Sequence, residues 1–244
     1  MRSLIIAPAD DEAALKAALA SEADAVVIDL FVAPDRREAA RARAARILKE
    51  AAAPSGARAL MVRVSPLADG EADLDLDAVM ASAPRAVLLP KARGAASVQQ
   101  LSVKLALREA LCGLDDGATG IIAVVDTAES TLALASFRCA SARLIGLAWD
   151  AEALRADVGA ETCRSDDGGY AGPCAVARDL TLLAAAAAGV AAIDTAIAEV
   201  RGAERLRTEA LAARRDGFAA KLTTDASEAR LINDVFATGR KGGG

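Results

Sequence analysis

The sequence predicts an α/β chain folded as a single (β/α)8 barrel. Two observations carry this reading: eight short apolar runs recur along 244 residues, and each is followed by an Ala-, Leu-, Glu- and Arg-rich stretch with helical spacing. A third removes the main competitor. A dinucleotide-binding open sheet needs GxGxxG after its first strand, and the chain there reads IIAPADDEA.

The runs are SLIIAP from 3, AVVIDL from 25, ALMVRV from 59, AVLLPK from 86, IIAVVDT from 121, LIGLAWD from 144, AAIDTA from 191 and AAKLTT from 219. They are continuously apolar rather than alternating, which is how strands of a parallel sheet read when both faces are covered. DEAALKAALA after the first run and DRREAARARAARILKE after the second set the helical pattern. Eight such units in about 250 residues match a closed barrel, assigned to residues 1–237, with the terminal GRKGGG expected to be a disordered tail over 238–244. The stretch SDDGGYAGP at 165–173 is the longest insertion, a candidate lid or edge.

Composition narrows the chemistry. With no histidine, the usual general base and the commonest metal nitrogen ligand are both missing, which excludes Ser-His-Asp and Cys-His hydrolases. Any metal is pushed toward Mg²⁺ or Mn²⁺, which take oxygen ligands. The net charge is −5 with lysines and arginines scattered among acids, so no basic stripe is offered to nucleic acid. LTLLAAAAAGVAAI at 180–193 is too short to span a membrane, and Asp10, Asp11 and Glu12 interrupt the place where a signal core would lie. Cys112, Cys139, Cys163 and Cys174 lack CxxC spacing, which favours four free, small buried thiols in a reducing cytoplasm.

In such barrels the site is built at the carboxyl ends of the strands. The last polar residues of the runs are Asp29, Arg63, Lys91, Asp126, Asp150, Asp194 and Lys221. That many ionisable groups at one mouth must pair with one another or bind something. Carboxylates suited to a hard cation beside cations suited to an enolate fit metal-assisted carbon–carbon bond cleavage, with Arg63 stabilising the developing negative charge. Asp194 and Lys221 are equally readable as a structural ion pair. Trp149 reads as wall packing.

RSLIIAP at 2–8, SEADAVVIDL at 21–30, VRVSP at 62–66, VLLPKARGAASV at 87–98, AVVDTAES at 123–130, GVAAIDTA at 189–196 and GFAAKL at 217–222 together resemble the citrate lyase beta-subunit family of the HpcH/HpaI aldolase superfamily. The resemblance implies a Mg²⁺-dependent barrel lyase, a trimer or hexamer, acting on a 2-oxo or hydroxy acid or its CoA thioester. It places the catalytic arginine on Arg63 and substrate contacts on Arg2, Pro90 and Lys91. The metal carboxylates fall on Asp126, where the family commonly reads IET and this chain VDT, and near DAEA at 150–153, where Ala153 occupies the usual second ligand position. Asp150 or Glu152 is then the compensating ligand. The acidic pair after IDL has become Phe31 and Val32, the IHP-like segment has become Thr224, Asp225 and Ala226, and an early loop arginine has become Asp11. Two readings follow: an active lyase, or a barrel that has lost that chemistry and binds a ligand or partner.

Overall fold

The computed structural model describes residues 1–51, 58–196 and 202–237; the expected tail at 238–244 lies outside them. Eight parallel strands close into a barrel in sequence order: β1 Ser3–Pro8, β2 Ala25–Asp29, β3 Ala59–Arg63, β4 Ala86–Leu89, β5 Gly120–Val125, β6 Leu144–Trp149, β7 Ala191–Asp194 and β8 Ala220–Thr223. Strand β8 closes the ring by pairing with β1, placing Ser3 beside Lys221 and Leu4 beside Leu222. All eight apolar runs become strands, because buried parallel strands need no polar face.

The helices are α1 Glu12–Ala20, α2 Arg37–Ala51, α3 Glu71–Val79, α4 Ala95–Cys112, α5 Ala128–Leu132, α6 Ala151–Val158, α7 Gly172–Ala188, α8 Ala203–Asp216 and α9 Ala229–Ala237. Their starts are written in the sequence. Asp11 accepts the Ala14 N–H of α1 at 2.9 Å, and Thr127 and Ser130 form a reciprocal capping box on α5. Helix α9 seals the β8–β1 seam, where the Asn233 side chain accepts from Ser3 Oγ at 2.8 Å and donates to the Glu22 carbonyl at 2.6 Å.

Side chains of a strand alternate between the barrel interior and the helical layer. Leu4, Val27, Met61, Leu88, Ile122, Val124, Ala148, Ile193 and Leu222 belong to the interior core, while Ile5, Val26, Val62, Val87, Ala123, Leu147 and Trp149 pack outward against helices. The interior is packed solid below its mouth. At about 25 cal/mol per Å², each fully buried Leu or Ile in it contributes roughly 2 kcal/mol. This alternation decides which strand-end charges reach the mouth.

Two cysteine expectations are corrected. Cys163 and Cys174 are joined by a disulfide, with Cα atoms 5.5 Å apart. The chain between them doubles back through an antiparallel bridge of Arg164 with Tyr170, which brings together two thiols that sequence spacing keeps apart. Cys112 and Cys139 are free but exposed rather than buried. The 165–173 segment is pinned as well as stapled: Arg205 of α8 donates to the Gly168 carbonyl, and Arg164 stacks 3.7 Å from the Tyr170 ring centre.

Candidate active site

A cavity of about 340 Å³ opens at the carboxyl ends of the strands. Its floor is the uppermost interior layer, Ile6, Leu88, Val124 and Leu222, and its walls carry Asp29, Arg63, Asp150, Glu152, Thr195 and Thr224. An apolar base with a few converging polar groups is the usual form of a small-molecule site.

Counting by twos from interior residues explains the membership. Asp29, Arg63 and Asp150 lie two positions beyond Val27, Met61 and Ala148, so they inherit the inward direction at the mouth; Asp126 has the same phase beyond Val124 but lies outside the cavity lining. Asp29 and Arg63 are register partners on neighbouring strands and form a bidentate pair: Nε to Oδ1 at 2.9 Å and Nη2 to Oδ2 at 2.7 Å. Such forked pairs fix the guanidinium plane. Burial pushes the Asp29 carboxyl up, and the Arg63 charge and hydrogen bonds oppose that rise. Arg63 also lies 5.8 Å from the Phe31 ring centre, so the residue replacing an acid of the family pattern packs against the guanidinium.

Asp126 follows β5. Its Oδ1 and Oδ2 both accept the Lys91 N–H at 3.0 Å. Burial, the largest influence, pushes this carboxyl up to about 6; the Lys91 amide opposes the rise and the nearby Asp150 charge adds to it, while Arg63 and Lys91 lower it by attraction. Asp150 caps α6, accepting from the Glu152 and Ala153 N–H groups at 3.1 Å each. Glu152, two residues along, pairs with Arg155 at 3.0 Å.

Several sequence expectations are thereby relocated. Arg2 stands at the opposite end of the barrel, before β1, with its side chain and N–H on Asp24 at 2.7 to 3.0 Å, so it does not reach the mouth. Lys91 meets the site through its backbone: it adopts φ 51° and its side chain is exposed. Pro90 is buried beside it and lies outside the cavity lining. Asp194 and Lys221 leave the mouth altogether. Each is one residue out of step with the interior positions Ile193 and Leu222, so they point into the helical layer and pair at 2.7 Å, with Lys221 fully buried. Trp149 is indeed wall, and its Nε1–H donates to Asp194 at 2.8 Å. Asp150 and Glu152 do line the cavity, but among the described residues no three acidic or cysteine side chains gather closely enough to form a metal cluster. Sequence reading passed over Thr195 and took Thr224 only as a departure from the family pattern; their positions immediately after β7 and β8 were the available signal.

An eight-stranded parallel barrel whose acids and one anchored arginine face a small cavity at the strand carboxyl ends defines the class of (β/α)8 barrel enzymes. The HpcH/HpaI aldolase/citrate lyase family model matches residues 2–226, and the chain belongs to that family of lyases. A citrate lyase subunit beta-like protein of Mycobacterium tuberculosis is 31% identical over 235 residues, covering 95% of this chain and 77% of that protein. A (3S)-malyl-CoA thioesterase of Cereibacter sphaeroides is 29% identical over 238 residues, covering 97% and 77%. Among solved structures, protein CitE of Mycobacterium tuberculosis in complex with magnesium, acetoacetate and coenzyme A aligns with a TM-score of 0.77 at 29% identity, covering 96% of this chain and 80% of that one. No helix among the described residues is long and apolar enough to cross a membrane.

Proposed function

We propose that this chain is a divalent-metal-dependent carbon–carbon lyase acting on a small 2-oxo or hydroxy acid or its CoA thioester. The observation that carries the reading is that Arg63 and Asp150 line one cavity and both act electrostatically on Asp126, which lies outside the lining after β5 and is raised to about 6 chiefly by burial. Two crowded carboxylates with no histidine fit a hard cation such as Mg²⁺ or Mn²⁺, because its charge relieves the repulsion that each acid imposes on the other. Asp126 and Asp150 would hold it, with Glu152 available if it leaves Arg155. Bound there, such a cation supplies Lewis-acid polarisation of a substrate carbonyl.

The chain's own groups define the rest of the cleavage. When the carbon–carbon bond breaks, its electron pair moves toward the carbonyl oxygen of the departing fragment, and Arg63 on the cavity wall balances that charge. Asp29 keeps the guanidinium from swinging away, so the stabilising charge is in place before the reaction begins. The step balances when water or a carboxylate at the mouth takes the hydroxyl proton of the fragment that becomes a carbonyl, and a proton is returned to the enolate carbon before that fragment leaves.

Calorimetric titration of the intact chain and of Asp126→Ala with Mg²⁺ or Mn²⁺, followed by a turnover screen of 2-oxo acids, hydroxy acids and acyl-CoA esters, tests the proposal. Binding that is lost in the variant, with turnover of one panel member, is the expected result; an intact chain that binds no divalent ion sinks it. A second reading, a ligand-binding barrel without lyase chemistry, is favoured by Ala153 at the usual ligand position and by Glu152 being tied to Arg155. That alternative expects a thermal midpoint indifferent to divalent ions.

A further inference from the structure

Asp150 and Glu152, both on the wall of the mouth, flank Ala151, the first residue of α6. That residue rests on sulfur. Cys163 Sγ lies 3.2 Å and Cys174 Sγ 4.0 Å from the Ala151 carbonyl oxygen, and both cysteines are buried. The Ala151 N–H donates to Thr195 Oγ1 at 3.1 Å. Helix α6 has eight residues, too few to keep its shape without outside contacts. Cys174 belongs to the first turn of α7, so the disulfide ties that turn to the chain leaving α6, against the same carbonyl.

Between the cysteines, residues 164–173 form a strap. Ala171 N–H donates to the Cys163 carbonyl at 2.9 Å and Ser165 N–H to the Gly169 carbonyl at 3.0 Å, while the tip from Ser165 to Asp167 is exposed. The strap does not rest on a packed surface: it forms one wall of a cavity of about 440 Å³ between α7 and α8. Its polar ties run to α8, through Arg164 to Glu209 at 2.9 Å and Arg205 to the Gly168 carbonyl, and none reaches α6 among the described residues. Tyr170 stands edge-on to the fully buried Trp149, 4.8 Å between ring centres, and buries a hydroxyl with no hydrogen-bond partner among the described residues. Burying that unpaired hydroxyl opposes closure, and the covalent tie offsets the cost by limiting the freedom the strap would gain on opening.

We propose that Cys163 and Cys174 are a redox-sensitive positioning pair: oxidised, they hold the first turn of α6 and its two mouth acids in place, and reduced by a dithiol, they release that turn together with the strap. The bearing of this release on cation binding rests on the lyase reading above; the release itself does not. In the chemical step a dithiol thiolate attacks one sulfur and the Cys163–Cys174 bond breaks, after which the second dithiol sulfur resolves the mixed disulfide. Two electrons pass from the dithiol to the protein, its two protons finish on Cys163 and Cys174, and it leaves as a cyclic disulfide. The exposed tip gives the reductant its route, by local opening of the strap.

Hydrogen exchange by mass spectrometry on the full chain, oxidised and after dithiothreitol, reads the release with no metal or substrate present. A Cys112→Ser/Cys139→Ser background removes the exposed free thiols. Exchange at Glu152 and Ala153, whose N–H groups Asp150 caps, should speed up on reduction on the order of tenfold beyond any change in the barrel strands. Emission of Trp149, the chain's only tryptophan, should move to longer wavelength as Tyr170 leaves it. Cys163→Ser/Cys174→Ser should show the reduced pattern and no response to dithiothreitol. Exchange in α6 that accelerates no more than in the strands, once thiol counting shows the pair reduced, overturns the proposal. Mg²⁺ or Mn²⁺ affinity should fall in step with the loosening of α6, and an affinity indifferent to it overturns the control of the mouth. An oxidised chain that binds neither ion sinks the lyase reading and leaves the exchange result standing.

Discussion

Replacing Asp126 with Asn should stabilise the metal-free protein at neutral pH, against the usual rule that buried substitutions destabilise. The side chain keeps its shape and one oxygen still accepts the Lys91 N–H, while the charge disappears. In the folded chain this carboxyl is raised from 3.8 to about 6, chiefly by burial. The unfolded chain therefore gives up its proton first as pH rises. Below 3.8 the carboxyl contributes its full stability; between 3.8 and about 6 the folded state holds the extra proton, so that stability is lost as pH rises, and above about 6 the ionised, buried group is a net burden. About 2 pH units at 1.36 kcal/mol each give roughly 3 kcal/mol as the most this single group takes away by pH 7. For a chain of this length that is at most about 6–12 °C in midpoint. The assay is urea or thermal unfolding of both proteins in EDTA from pH 4 to 8. The variant should match the parent at pH 4, pull ahead through pH 6, and lose any stabilisation by Mg²⁺ that the parent has. Equal pH slopes for the two proteins would refute the argument that Asp126 is a desolvated, crowded acid.

Three further outcomes rest on pairs the structure fixes. Arg63→Ala leaves Asp29 buried without its partner and should cost roughly 3–5 kcal/mol by urea unfolding, whereas Asp29→Asn/Arg63→Met should recover most of that stability and remain inactive in any turnover assay. Lys221→Met strands Asp194 with Trp149 and the more distant Arg178 and should lower stability by a similar amount without altering ligand or metal binding, because the pair faces the helices; a binding defect at full folding would contradict the outward assignment. Reducing the Cys163–Cys174 disulfide, which closes a sequence separation of 11, should lower stability by about 3 kcal/mol in the chain-entropy account, read as a midpoint that falls on adding a dithiol in the parent and not in Cys163→Ser/Cys174→Ser.

The barrel was legible because its signal is repeated eight times and rests on one physical requirement, that a strand covered on both faces be apolar throughout. The site was half legible for a connected reason. A list of strand-end polar residues mixes two populations that continuous apolar runs do not separate, since inward and outward positions are both Val, Ile or Leu. Asp29 and Asp150 follow Val27 and Ala148 by two and line the mouth; Asp194 follows Ile193 by one and does not. Fixing the phase of each strand from the interior side would have sorted them, but in a sequence with no alternation the phase comes only from the closed ring and its register. Long-range folding hid the remainder: the Cys163–Cys174 bond depends on a loop doubling back, and the pairing of Arg2 with Asp24 depends on which end of the barrel residue 2 enters. The same geometry bears on Ala153. It sits on the first turn of α6, where its N–H is spent on Asp150, so the carboxylate nearest to replacing the missing one is also the cap that starts the helix. Both capping bonds use Asp150 Oδ1, so a cation bound as proposed would meet this carboxylate through Oδ2, on a side chain whose orientation the α6 N-terminus already fixes.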